Sequence, residues 1–250
     1  MLKSNQGLDR FIQEFSLYKD AFVIIGGLAS TLNMARFNLE FRVTKDFDLV
    51  VLVKDGNEPF FYALRAFLRE VGYSYGKKGN YYRFTNPKDR YYPFMIEILS
   101  RVDLELSRSN STNKFRIKIN EDVFSLSAII LDEDIYNLVL HRQLEIMGLH
   151  VVDPYALIAM KIRAWRDLSD KRNRGEKVNS DEINKHRKDV IRLSQIIDET
   201  QIIELGQQLK EDILYYLDVC EIEDHSFHQI APNLESFGSL RKILIKVFQL

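Results

Sequence analysis

Asp46 and Asp48 are two acids spaced two residues apart in an otherwise mostly apolar run, Val43 to Val53. Side chains alternate along a strand, so both carboxylates point to one face while Phe47 and Leu49 point to the other. Their α-carbons would stand about 6.6 Å apart, with a repulsion of about 2.5 kcal/mol at an effective dielectric of about 20. Water and salt would screen most of that if the pair were simply exposed. Partly enclosed, as Val50, Val51 and Val53 suggest, the pair needs a cation, and hard oxygen donors suit Mg²⁺ or Mn²⁺. Glu97 is a third acid, set inside the apolar run Phe94 to Leu99. A buried acid needs a partner. A strand carrying Glu97 beside the Asp46/Asp48 strand would bring three acids together, and three acids can hold two metals. Glu97 would then serve as metal ligand or base. The alternative is an ion pair between Glu97 and Arg83 or Arg101.

The residues before the aspartates fit the same chemistry. Gly26-Gly27 lets backbone N–H groups approach a phosphate, and the start of a following helix adds a favourable dipole. Ser30 is placed to add a hydroxyl. Arg42 and Thr44 alternate with Asp46 and Asp48 and share their face, where a cation holds a phosphate or orients the acids. The plain alternatives are an ordinary turn and an exposed Arg42 paired with Glu40 or Asp46.

Particular elements must position these groups. Phe22 to Ile25 is a short apolar run typical of a buried strand, and Gly26-Gly27 breaks it. Residues 28–37 read as a helix, and residues 43–53 as the strand carrying the aspartates, ended by Asp55-Gly56. An opening amphipathic helix is expected over residues 8–18 and another over 58–71. Strands are expected at 73–75 and 81–84 around a loop at 76–80, at 95–99, at 115–119 and at 124–131. Residues 141–152 are compatible with either strand or helix. Asp153-Pro154 then opens a helix, with Asp as cap and Pro at the first position, running to about residue 168. A polar loop covers 169–180. Asn179 and Glu182 resemble a capping box for a helix over 181–197, and further helices are expected at 200–219 and 234–248. The fold class is α+β. A mixed α/β domain over residues 1–152, built on a mixed sheet flanked by helices, is followed by an all-α domain over residues 153–250.

The chain is 250 residues long, with 46% hydrophobic and 28% charged residues and a formal net charge of −1. Such a balance draws no nucleic acid by overall charge, so any such contact needs a local patch. Residues 161–192 carry eleven Lys and Arg against six acids, and residues 195–235 one Lys against ten acids. That asymmetry is either two solvated helix faces or a basic segment that meets a polyanion. The single cysteine, Cys220, is expected to be a buried, inert thiol, and His141 and His186 to be structural. No signal peptide or membrane span is expected, and the expected compartment is the cytoplasm.

The arrangement Ile25-Gly26-Gly27 … Arg42-x-Thr44-x-Asp46-x-Asp48-Leu49, with Glu97 later, resembles the DNA polymerase beta-like nucleotidyltransferase superfamily. The R-x-T-x-D-x-D form is most similar to AbiEii-type nucleotidyltransferases, toxins of abortive-infection and toxin–antitoxin systems. Lys161, in Ala159-Met160-Lys161-Ile162-Arg163-Ala164, matches a lysine those proteins carry on the first helix after the catalytic domain. Asp189, in Lys185-His186-Arg187-Lys188-Asp189, matches an acid on a later helix. The chain departs from the superfamily pattern in a longer interval between Gly27 and Asp46 and in a Glu as third acid. The resemblance implies transfer of an NMP from an NTP to an acceptor, with Asp46, Asp48 and Glu97 as metal ligands. It implies that Gly26, Gly27, Ser30, Arg42 and Thr44 serve the nucleotide, that Lys161 contacts the triphosphate and that Asp189 supports the site. It also implies Mg²⁺ or Mn²⁺ as cofactor, an RNA (such as tRNA) or protein acceptor, and a cognate antitoxin. Without the resemblance, Lys161 reads as a snorkelling helix lysine and Asp189 as one acid of a charge-rich helix.

Two other functions share these residues. An antibiotic-type nucleotidyltransferase would present an acidic pocket to a small cationic substrate. A catalytically silent nucleotide- or partner-binding module would bind NTP and metal without transfer.

Overall fold

The computed structural model describes residues 6–42, 44, 46–52, 57–75, 83–89, 91–101, 114–118, 125–130, 132–220, 222 and 224–250. The expected Asp55-Gly56 turn, the loop at 76–80 and strand positions 43, 45, 53, 81, 82, 119, 124 and 131 lie outside them. The chain divides into two compact units, Met1–Val152 and Asp153–Leu250.

The first unit is mixed α/β. In chain order it runs α1 (Gln6–Phe15), a 3₁₀ segment (Ser16–Ala21), β1 (Phe22–Ile25), α2 (Gly26–Ala35), β2 (Asp46–Val51) and α3 (Glu58–Val71). It continues with β3 (Ser74–Tyr75), β4 (Arg83–Thr85), β5 (Met95–Ser100), β6 (Lys114–Lys118), β7 (Ser125–Ile130), α4 (Glu133–His141), β8 (Gln143–Ile146) and β9 (Leu149–Val152). The main path through the sheet is β3-β4-β5-β2-β1-β9-β8, with β7 pairing the end of β5 and β6 pairing β7. Pairing is mixed: β2 with β5 and β1 with β9 are parallel, while β1 with β2 and β4 with β5 are antiparallel.

Alternation along β2 gives the sheet two unlike faces. Phe47 and Leu49 are buried and Asp46 and Asp48 only partly so. The buried face is aromatic. Phe11 of α1 meets Phe47 edge-on at 5.4 Å, and Phe60 of α3 stacks on Phe22 of β1 at 5.2 Å. Phe11, Phe15, Phe22, Phe47 and Phe60 are all nearly or wholly buried. At roughly 1.5–3 kcal/mol per buried side chain, this cluster fixes which face of β2 turns inward and so which face carries the acids.

Two stretches without a definite sequence-based expectation, 133–141 and 143–152, take form here, and residues 200–206 differ from the helix expected over 200–219. Residues 133–141 form α4, capped by the Asp132 carboxylate, which accepts from Ile135 N at 2.9 Å. Residues 143–152 form a hairpin whose turn residues Met147 and Gly148 both have positive φ, 55° and 76°. That geometry suits a two-residue hairpin turn. Residues 200–206 are not helical. Ile203 N instead bonds Val247 O at 2.8 Å.

The described residues of the second unit contain only helices as regular structure: α5 (Pro154–Asn173), α6 (Ser180–Leu193), a 3₁₀ turn (Ser194–Ile196), α7 (Gln207–Val219), α8 (Asp224–Ile230) and α9 (Phe237–Phe248). Asp153 caps α5 by accepting from Ala156 N at 2.9 Å, with Pro154 at the first position. Asn179 caps α6 by accepting from Asp181 N at 2.9 Å. Asp212 of α7 is buried and accepts from Arg163 Nη1 at 2.7 Å and Arg166 Nη1 at 2.9 Å, tying α7 to α5. Among the described residues no helix is long and apolar enough to cross a membrane.

Candidate active site

The site is built where β1 ends. Ile25, the last residue of β1, pairs with Asp48 of β2, so the chain turns into α2 beside the aspartate strand. Gly26 takes φ = 68°, a left-handed conformation that glycine adopts without strain. A Cβ at Gly26 would overlap the Asp48 carboxylate oxygen Oδ2 and stand 2.8 Å from its Cγ. A Cβ at Gly27 would stand 2.6 Å from Thr44 Oγ1 and 3.6 Å from Arg42 Nη2. The two glycines therefore leave the space that Asp48, Thr44 and Arg42 occupy against the turn. Ile25, at the N-cap of α2, has no side-chain oxygen to satisfy the first helical amides, and such an uncapped start attracts anions. The Arg42 guanidinium also lies over the Phe41 ring at 5.4 Å.

Ser30 lies one turn into α2, against the Gly26 carbonyl. It is fully buried, and its hydroxyl donates to Gly26 O at 2.8 Å. It pins the carbonyl of the turn. Thr31 does the same for Gly27 O at 3.1 Å. Asn33, also buried, donates to Ala29 O and to Val152 O at 2.9 Å each, fixing α2 to the end of β9.

On the sheet, Asp48 pairs in register with Glu97 of β5, and Asp46 with Met95. Directly opposed residues share a face, so Asp46, Asp48 and Glu97 stand on one side of the sheet. The strand spacing brings the Asp48 and Glu97 α-carbons to about 4.8 Å. Glu97 is nonetheless engaged in the opposite direction. Arg83 of β4, its register partner on the far side, donates Nε to Glu97 Oε1 at 2.8 Å. Arg101 bonds Glu133 at 3.0 Å, so of the two arginines open to Glu97 on sequence grounds Arg83 is the one that holds it. Among the described residues no three His, Cys, Asp or Glu side chains converge as a metal-holding group. Asp46 and Asp48 still supply two hard carboxylates on one partly open face, seated against a glycine whose missing Cβ makes the room. That donor set fits a hard divalent cation, with Glu97 one strand away.

In the helical unit, Lys161 of α5 and Asp189 of α6 are neither snorkelling nor solvated. Lys161 is 5% exposed and Asp189 fully buried, and Lys161 Nζ meets Asp189 Oδ2 at 2.9 Å. Arg192 Nη1 approaches the other carboxylate oxygen at 3.3 Å. A lysine and an acid this deep persist only as partners. His141 is exposed and bonds Asn137 O at 2.7 Å, consistent with a structural role. Cys220 is buried, and burial pushes its thiol above its ordinary range, which disfavours the reactive thiolate.

No curated protein and no solved structure matches the chain. A family model does: residues 10–237 match the nucleotidyl transferase AbiEii toxin of type IV toxin–antitoxin systems. That span takes in both glycines, Arg42, Thr44, all three sheet acids and the Lys161–Asp189 pair. Membership implies an NTP substrate and a cognate antitoxin. The chain is a nucleotidyltransferase and belongs to the AbiEii toxin family.

Proposed function

We propose that this nucleotidyltransferase is metal-dependent and moves an NMP from an NTP to a nucleic-acid or protein acceptor. The acceptor attacks the α-phosphate in line; the new acceptor–phosphorus bond forms as the bond to the β-phosphate oxygen breaks and pyrophosphate leaves. Residues 1–152 act as the transferase domain and residues 153–250 as a helical domain. The observation that supports this most directly is the seat of the Asp48 carboxylate against Gly26, on the register line it shares with Glu97.

Each residue has a role in this reading. Asp46 and Asp48 hold Mg²⁺ or Mn²⁺, with Glu97 as the third acid. The cation supplies charge neutralisation on the triphosphate. The amides that open α2 at Gly26 and Gly27, with Arg42 and Thr44 beside them, receive phosphate oxygens. Ser30 holds the turn in shape through Gly26 O. Lys161 serves the triphosphate and Asp189 fixes the position and charge of its ammonium. The chain contributes mainly positioning and preorganised charge. The excess of Lys and Arg over residues 161–192 favours a polyanionic acceptor such as RNA.

The test is incubation with each α-labelled NTP, Mg²⁺ or Mn²⁺, and total RNA or protein as acceptor. Label is expected on one acceptor class, and it should vanish with a chelator and in Asp48→Ala. Transfer that survives Asp48→Ala would refute the assigned site. Label on neither acceptor would refute the acceptor assignment.

A further inference from the structure

Arg83, Glu97, Asp48 and Ile25 form one row across four strands: Arg83 pairs with Glu97, Glu97 with Asp48, and Asp48 with Ile25. Gly26 follows directly. Glu97 thus has an acid as register neighbour on one side and a guanidinium on the other. Its side chain is 14% exposed against 43% for Arg83, so the carboxylate is the more enclosed partner and depends on a cation nearby. In this structure that cation is Arg83, through a charge-assisted bond from Nε at 2.8 Å. A short swing of the Glu97 side chain toward β2 would exchange this partner for a divalent cation at Asp46 and Asp48.

We infer that Arg83 is a positioning residue that competes with the divalent cation for the Glu97 carboxylate. The inference rests on the metal-site reading above. Arg83 keeps the Glu97 carboxylate directed across the sheet when no metal is bound, and gives it up when the metal arrives. The third acid is therefore delivered by exchange of one cation for another. The exchange explains why Glu97 sits in register with Asp48 yet stands outside any converged acid cluster among the described residues.

Mn²⁺ titration of the full chain, followed by electron paramagnetic resonance, tests this. Arg83→Gln should tighten Mn²⁺ binding about two- to fivefold, the span that half-exposed ion pairs are worth. Arg83→Lys, which keeps the charge, should stay close to wild type. In a Glu97→Gln background the Arg83→Gln effect should disappear. A measurement on the wild-type chain needs no folded variant at Arg83: Mg²⁺ should shift the Arg83 Nε–H resonance in a ¹H–¹⁵N spectrum, and should not in Glu97→Gln. Tightening of equal size in the Glu97→Gln background would mean a general field effect and overturn the inference. So would an unmoved Nε–H, or Mn²⁺ affinity unchanged in Arg83→Gln while Asp48→Ala abolishes binding. No Mn²⁺ binding by the wild type would overturn the metal-site reading and the inference together.

Discussion

Gly26 and Asp48 occupy each other's space: the missing side chain of the glycine is where the aspartate carboxylate sits, 2.8 Å from the position of a Cβ to Asp48 Cγ. The backbone there is left-handed, with φ = 68°. Gly26→Ala therefore meets two penalties. A non-glycine residue in this region costs about 1–2 kcal/mol, and forcing in a methyl group costs about 1–3 kcal/mol more. The expected outcome is a clear loss of thermal stability. Transfer should fall roughly 100-fold, the effect of displacing a reacting group by about an ångström. Gly27→Ala meets Thr44 Oγ1 at 2.6 Å, the end of a rotatable side chain, so its loss of stability should be smaller. Melting curves beside label-transfer rates check the order; a Gly26→Ala variant as stable and active as wild type would contradict it.

The buried Lys161–Asp189 pair separates structural from functional value. Removing either partner leaves a buried charge and should cost roughly 3–5 kcal/mol in urea unfolding. Replacing both, Lys161→Met with Asp189→Leu, removes both desolvation penalties and should return stability close to wild type. Arg192, 24% exposed, can then turn to solvent. If the pair serves the triphosphate, transfer stays lost in the double variant although the fold is restored. Recovery of activity with stability would assign the pair to the fold alone.

The sequence carries the start of the site more clearly than its middle. Phe22–Ile25 is short, apolar and bounded by two glycines, and it stands as a strand at the expected residues; so does the helix at Glu58–Val71. For Glu97 the sequence leaves two partners open, a cation shared with Asp46 and Asp48 or an arginine, but the choice needs the register of β4 against β5, a long-range fact that no local pattern encodes. The helix at 133–141 did have local signals: Asp132 as cap, then Ile135, Leu138 and Val139 at helical spacing, all three buried. The hairpin at 143–152 was ambiguous because Met147 occupies a positive-φ position where Asn or Asp would have marked the turn. For Ser30 the sequence leaves open whether the hydroxyl points to a ligand or back to a carbonyl four residues earlier, and here it donates to Gly26 O.

Asp212 should behave as a structural acid. It is 1% exposed and accepts from Arg163 and Arg166 of α5 and from Gln208 Nε2 at 3.2 Å. Asp212→Ala takes the close carboxylate from two guanidinium groups that are each 28% exposed and that keep longer contacts to Asp167 and Asp170, at 3.9 Å each, so the loss should fall at or below the lower end of about 3–5 kcal/mol. The urea midpoint should drop while KM for the NTP, measured on folded protein, stays unchanged. A changed KM at wild-type stability would mean that this acid acts on substrate.

Cys220 and Tyr216 give the protein a stability limit on the alkaline side. Burial pushes the Cys220 thiol above its ordinary 9.0, against the opposing pull of Tyr216 and Arg187. It pushes the Tyr216 phenol well above its ordinary 10.0. Both groups hold their protons more tightly in the folded chain than in the unfolded one. The unfolded chain therefore ionises first as pH rises, and folding stability falls from about pH 9 upward through the folded values. Urea midpoints measured from pH 7 to pH 10.5 should decline above about pH 9, and less steeply in Cys220→Ala, which removes the thiol's share. At pH 8 the native thiol should resist alkylation and react readily once urea unfolds the chain. Rapid alkylation of the native protein, or a Cys220→Ala profile identical to wild type, would place the thiol in a more open setting than the buried one beside Tyr216.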